Sequence, residues 1–456
     1  VTVPTYGLDE HDWDSLRDEV VELFTALLRV DTTNPPGDET ECALVLREYL
    51  AANGIESTLI GELPHRQNLV ARLDGSRPGP GLTFTGHLDV VPADAAEWTV
   101  PPFAGVVEDG YVWGCGAVDM KNQVAAEAVA LARLKRSGAD FAGTIRFAAT
   151  ADEEDGTFCG VRWLCREHPD LMRCDYLVNE GMGGLWVPVD GRRVFLLAVG
   201  EKAFAQFLIR TRGRGGHGSV PQKEHSAVID LARAVTALGL ADPPATVSEM
   251  TAHLIDALVA DAGLRARLKD PGTARAAGAE LRGLDPVVAG LIEPLFGATF
   301  TPTILSAGSA VNVIPTHAEA QIDCRILPEM PSDELPALVA EILDPLGIDW
   351  EFEWVDLTTP NASPAPTDLS RSIERVLRRD VPDAVLAPMC AGSFTDSRWV
   401  REAFPGCIAY GFAPFVAEGL HAMDGGRDHE PDERILIEDV TYQALFFERL
   451  ARDLLA

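Results

Sequence analysis

FTGHLDVVP, residues 84–92, is an apolar run that stops at His87 and Asp89, two residues apart. Open α/β sheets gather their sites in the loops that leave the carboxyl ends of parallel strands, so this is where such a fold presents ligands. Further short β-branched and apolar runs occur near residues 57–60, 68–73, 144–149 and 176–179, separated by segments of helical spacing such as residues 123–136. Upstream, residues 12–30 and a stretch ending near residue 52 place apolar side chains at helical intervals, divided by the breaker DTTNPPGDE. The alternation predicts an α/β layered domain with a mostly parallel sheet flanked by helices.

Near residue 200 the pattern changes. AFAQFLIRTRG alternates like a strand, residues 226–238 read as a helix, AVNVI, AEAQIDCRIL and DWEFEWV read as strands, and SDELPALVAEIL reads as a helix. Together they predict an inserted α+β lid or dimerisation domain with one sheet. Residues 241–298 read as mostly helical, without clusters of ligand-like side chains. The Pro-rich TTPNASPAPTD marks a return to the first pattern: a helix near 369–378, strands near 384–387 and 408–411, and a terminal helix from 438. The expected domains are residues 1–197 and 361–456, forming one discontinuous unit, and 198–360.

The formal charge of -32 argues against nucleic acid and anionic membranes as partners. No window of about 18 apolar residues is present, and VTVPTYGLDEHDWD has neither the basic nor the apolar part of a secretory signal, so a cytoplasmic location is expected. The eight cysteines are scattered without a CxxC pair and read as reduced, structural thiols.

His87 and Asp89 open a train of groups that continues through Asp119, Glu153, Glu154 and Glu180 to His429. Taken singly, a Glu-Glu doublet is usually a solvated surface and a histidine beside a strand a packed imidazole. Together they supply two imidazoles and three carboxylates for two divalent ions, with one carboxylate to spare. Asp119, in the Gly-rich GCGAVDMKN, suits a bridging role. His87 with Glu180 would serve one ion and Glu154 with His429 the other, leaving Glu153 as general base. Asp89 is placed to hold the second ring nitrogen of His87. Mixed nitrogen and oxygen ligands favour zinc, with cobalt and manganese left open.

GHLDVVP, GCGAVDMKN, ATADEEDG, VNEG and HEPDERI, in that order across nearly the whole chain, resemble the motifs of the aminoacylase, acetylornithine deacetylase and carboxypeptidase G group, metallopeptidase family twenty. The resemblance implies a two-zinc catalytic domain interrupted by a smaller lid, the same ligand and base roles, and a cis peptide bond after Asp119. It places His429 rather than His421 as the last ligand. His217, in RTRGRGGHGSVP, matches a lid histidine that stabilises the oxyanion in the partner subunit's site, which implies a homodimer. Asn312 and Arg325 resemble the pair that receives the substrate's free carboxylate. Gly392 and Ser393, in AGSFTDSR, resemble a Gly-Thr-Asp-Arg loop beside the substrate, with Phe394 as a departure. The implied activity is hydrolysis of the amide bond of N-acyl amino acids or short peptides. A di/tripeptidase or aminopeptidase of the same group, and a non-catalytic metal-dependent binding protein, remain alternatives.

Overall fold

The computed structural model describes residues 4–155, 158–423 and 427–456. Residue 156 of ATADEEDG and residues 424–426 of LHAMDGG lie outside them. The chain divides into two compact units, Val1–Val199 with Ser363–Met389 and Thr395–Ala456, and Gly200–Ala362 with Cys390–Phe394.

In the first unit, strands Ala142–Thr150, Arg77–His87, Tyr176–Asn179 and Ile408–Gly411 lie side by side in that order and pair in parallel. Strands Asn68–Asp74 and Ser57–Ile60 extend one edge in antiparallel fashion. The result is the mixed α/β fold expected, with a mostly parallel central sheet between helices. Its strands are apolar on both faces at their centres because helices cover them on each side. Helix Lys121–Arg136 buries almost every side chain, and its alanines at 125, 126, 128, 130 and 132 let it pack closely on the sheet and on helix Ile437–Leu454. Gly86 permits that approach where it matters, since a Cβ there would stand 2.6 Å from Met120 Cε and 2.8 Å from Val124. Helix Glu10–Leu28 begins on the side chain of Asp9, which accepts from the Asp12 amide, and buries Leu16, Val20, Phe24 and Leu27.

In the second unit, four antiparallel strands run in the order Thr299–Ala307, His317–Ile326, Ala203–Arg212, Trp350–Leu357. Strand Ala203–Arg212 alternates buried with half-buried side chains, and helices Ala227–Gly239 and Leu335–Leu343 close the buried face around Phe207, Ile209, Leu231, Ile322 and Val339. Residues 241–298 carry helices Glu249–Leu258, Ala262–Lys269, Ala274–Leu284 and Pro286–Ile292. Two readings need correcting. AVNVI is a strand only at Val313–Ile314, and the strand Thr299–Ala307 went unread. All eight cysteines are buried and unbridged, and among the described residues no helix is long and apolar enough to cross a membrane.

Candidate metal centre

His87 is the last residue of strand Arg77–His87, Glu153 and Glu154 follow strand Ala142–Thr150, and Glu180 follows strand Tyr176–Asn179. Three adjacent parallel strands therefore deliver four of the expected groups from their carboxyl ends. Asp119 comes from the loop just before helix Lys121–Arg136, and its bond to Met120 is cis, as the resemblance implied. His429 arrives from the C-terminal part of the chain with its backbone in the left-handed region, at φ 62°.

These groups converge. Asp119 turns one carboxylate oxygen to each imidazole, with Oδ1 3.0 Å from His87 Nε2 and Oδ2 3.3 Å from His429 Nε2. Glu154 Oε2 lies 3.2 Å from His429 Nε2, and Glu180 Oε1 lies 4.0 Å from His87 Nε2. Ligand atoms of His87, Asp119 and Glu154, and of His87, Glu153 and Glu180, fall within 4.8 Å of one another. Two ligands at about 2.0–2.1 Å from a tetrahedral ion stand about 3.3 Å apart, so the spacing fits divalent cations. A buried oxygen points the same way, because Glu154 Oε1 has no hydrogen-bond partner among the described residues. The residues present fit two ions that share Asp119.

The electrostatics express the same excess of negative charge. Burial drives the carboxyls of Glu153 and Glu180 well above the usual range, and the negative charge of Asp119 adds to it. Glu154 is also raised by burial, against the pull of its hydrogen bond to His429. Burial opposes charge on Asp119 too, yet hydrogen bonds to His429 and His87 hold it well below the usual range. His429 is pushed up to about 11 by hydrogen bonds to Asp119 and Glu154.

Asp89 meets His87 Nδ1 through both backbone and side chain. Its backbone carbonyl, 2.9 Å from His87 Nδ1, accepts the ring hydrogen bond, whereas the nearer carboxylate oxygen stands at 3.5 Å. The carboxylate also accepts from the amides of Glu153 at 3.2 Å and Glu154 at 3.0 Å, and from Asn34 Nδ2 at 2.9 Å. Asp89 thus pins the Glu153–Glu154 turn, as a positioning residue. Asn34 also donates to Asp152 Oδ1 at 3.1 Å, and Arg66 holds that oxygen at 3.0 Å while pairing with buried Glu39. Asp152, at φ 64°, precedes the expected base and is anchored through Oδ2 by the amides of Phe158 and Cys159.

Glu433 was read only as part of HEPDERI. Its buried carboxylate accepts from the amides of Gly116 at 2.8 Å, Val118 at 2.5 Å and Asp119 at 3.0 Å, which shapes the loop that carries Asp119. An acidic residue two before an apolar run and close behind an expected ligand histidine was the available signal, but one residue among 70 acidic ones does not announce its target.

The remaining expected residues lie in the second unit. His217 pairs with Val313 across a two-residue ladder, and the Gly218 amide donates to the carbonyl of Asn312 at 2.8 Å, so His217 and Asn312 are brought together. His217 Nδ1 accepts from the Ser219 amide at 3.2 Å, which leaves the proton of the neutral ring on Nε2. Arg325 donates through Nε and Nη2 to Asp323 at 2.9 and 3.2 Å and lies 3.9 Å over the ring of Phe204. Phe394 packs on the same ring, and Gly392 and Ser393 beside it are exposed.

Residues 83–453 match peptidase family M20/M25/M40. Over 439 residues the chain is 27% identical to a succinyl-diaminopimelate desuccinylase of Methylorubrum extorquens (strain PA1), spanning 94% of this chain and 97% of that protein. The M20 family metallo-carboxypeptidase Sso-CP2 of Sulfolobus solfataricus superposes with a TM-score of 0.72 at 18% identity, over 96% of this chain and 99% of that one. The YXEP protein of Bacillus subtilis, a dinuclear metal binding peptidase, superposes with a TM-score of 0.62 at 16% identity, over 96% and 98%. At these identities the structural likenesses speak to the fold.

Proposed function

We propose that this chain, which belongs to peptidase family M20/M25/M40, releases an amino acid by hydrolysing a small N-acyl amino acid or short peptide at two divalent metal ions. Family membership makes it a hydrolase of amide or peptide bonds. The substrate and the residue roles are our reading. It is carried by Asp119, whose two oxygens face two imidazoles, with the carboxyl of Glu153 gathered beside His87 and Glu180.

In this reading His87 and Glu180 would hold one ion, Glu154 and His429 the other, and Asp119 would be shared between them, with zinc favoured. Bound there, the ions supply Lewis acidity toward a substrate carbonyl and toward water. Glu153 takes the proton of the attacking water and delivers it to the departing nitrogen. Its burial suits this, since a carboxyl driven up from its ordinary range holds a proton better in mid-reaction. Asp89 keeps Glu153 aimed by fixing its amide. His217 Nε2–H is the proposed donor to the oxyanion, a contact worth several kcal/mol in such sites, about 3 to 4. Arg325 with Asn312 is the proposed seat of the substrate carboxylate, which must share or displace Asp323 from the guanidinium fork. Gly392 and Ser393 are proposed to border the substrate, and a homodimer is part of the proposal.

The test is release of primary amine by protein stripped of metal and reconstituted with zinc, cobalt or manganese. Substrates are N-acetyl and N-succinyl amino acids and matching free dipeptides. Release from the acylated series, abolished by chelator and restored by metal, is expected. Turnover only of substrates with a free amino group would replace the proposal with a di/tripeptidase, and tight binding without product across the panel would contradict catalysis.

A further inference from the structure

We propose that Cys174 and Cys407 form a redox-active dithiol, a site of reversible disulfide formation on the floor of an arginine-lined cavity at the amino ends of two paired strands. Cys174 lies just before strand Tyr176–Asn179 and Cys407 just before strand Ile408–Gly411, which run in parallel with Ile408 opposite Tyr176. The expected metal residues follow the other ends of this sheet, so the thiol pair is separate from the proposed activity and independent of it.

Three observations carry the assignment. First, the two Sγ atoms stand 3.6 Å apart and share a hydrogen bond, close enough that turning about the Cα–Cβ bonds brings them into bonding contact. Second, both line a cavity of about 480 Å³ with Gly81, Arg146, Arg173 and Phe404, and are 9% and 5% exposed, so a small oxidant can reach them. Third, two arginines, Arg146 and Arg173, line the cavity against one carboxylate, Asp175, in a chain of net charge -32. Arg173 lies 4.8 Å over the ring of Phe404. Arg146 Nη1 and Cys174 Cα stand 3.2 and 3.5 Å from where a Cβ on Gly81 would be, so the glycine leaves room for the guanidinium beside the thiol.

This setting makes the two sulfurs unequal. The hydrogen bond shared with Cys407 pulls Cys174 below the ordinary thiol range in spite of burial, with Thr83 and Arg146 adding to it, while the same bond and burial push Cys407 up. With the Arg146 guanidinium beside it, Cys174 is assigned as the attacking thiolate and Cys407 as the resolving thiol. With a peroxide, the Cys174 thiolate attacks one oxygen, the O–O bond breaks, and a sulfenic acid and hydroxide result. Cys407 then attacks the sulfenic sulfur, the S–S bond forms, and its thiol proton leaves with the departing hydroxide as water. Overall two thiols lose two electrons and two protons, and the peroxide is reduced to two waters. The new bond joins residues 174 and 407 and closes a covalent loop containing all of residues 200–362, which restrains the unfolded chain more than the folded one.

The test uses metal-loaded wild-type protein titrated with hydrogen peroxide under native conditions, then alkylated, mapped by mass spectrometry and melted. The expected result is a peptide linking Cys174 to Cys407, a free-thiol count lowered by two from eight, and a Tm raised by several degrees, all reversed by dithiothreitol. In Cys407→Ser the oxidation should stop at a dimedone-reactive sulfenic acid on Cys174, and in Cys174→Ser residue 407 should stay unmodified. If the serine variants fail to fold, phenylarsine oxide on wild type decides, since it binds only paired thiols and should block the link. Oxidation of other cysteines before this pair, an unchanged Tm after linking, or a link that forms despite phenylarsine oxide would overturn the proposal.

Discussion

Asp89→Asn keeps the volume of a fully buried side chain and removes one of its acceptor oxygens, so it separates two roles that the residue can play. With its amide oxygen toward Glu154 and Asn34, the asparagine retains the contacts now 3.0 and 2.9 Å long and turns its NH2 toward the Glu153 amide, whose acceptor at 3.2 Å is lost. An unpaired buried N–H costs about 1–3 kcal/mol. If the Glu153 backbone moves to relieve it, the base is displaced, and the same energy placed on the transition state corresponds to a roughly 5- to 160-fold loss of turnover. His87 should keep its orientation, because its Nδ1 is held by the backbone carbonyl of Asp89, which the substitution leaves in place. Metal content after dialysis, kcat per metal-loaded chain and KM are the quantities to measure. Metal near the wild-type level, lowered kcat and little change in KM are expected. Loss of metal with normal kcat in the fraction still loaded would show that the carboxylate orients His87 and would refute the reassignment.

Glu433→Ala strips the acceptor from three backbone amides in the Asp119 loop, so urea unfolding should show a loss of about 3 kcal/mol or more, and metal content should fall with it. Unchanged metal content would mean the loop holds its shape without Glu433. In the second unit, burial pushes Lys202 down to about 8, and its ammonium donates to the carbonyls of Pro294 and Gly297 at 2.8 and 2.9 Å. Between pH 8 and 10.5 the unfolded chain binds the extra proton, so this residue adds stability as pH rises through that window, by about 3 kcal/mol at most. The urea midpoint of wild type should therefore rise relative to that of Lys202→Met as pH rises through this window, and parallel curves would exclude the effect.

Much of the first unit was legible because a parallel sheet leaves a local trace, in which a short apolar run ends in the residue that does chemistry. His87, Glu153, Glu154 and Glu180 all fall at such ends, and their order along the chain was enough to group them. Asp89 shows the limit. Its place two residues after His87 suggested a side-chain contact, which stands at 3.5 Å, but not that strand pairing also puts it next to the start of the Glu153 turn, a proximity that depends on register between residues 60 or more positions apart. Arg66, Asn34 and Glu433 act through contacts of the same kind, for which composition and spacing carry no signal. In the second unit, Thr299–Ala307 was missed because Pro302 sits inside it at a break in register, and its exposed Ile304 and Leu305 spoil the alternation that marks a half-buried strand.

Turnover and metal content of Glu153→Gln, measured on the same preparation against the best N-acyl amino acid of the wild-type panel, test the central claim most directly. The glutamine keeps shape and cannot accept the proton of water, so two metal ions per chain, near-normal KM and a kcat lowered by about 10²- to 10⁴-fold are expected. Near-wild-type turnover in fully metal-loaded Glu153→Gln would contradict it.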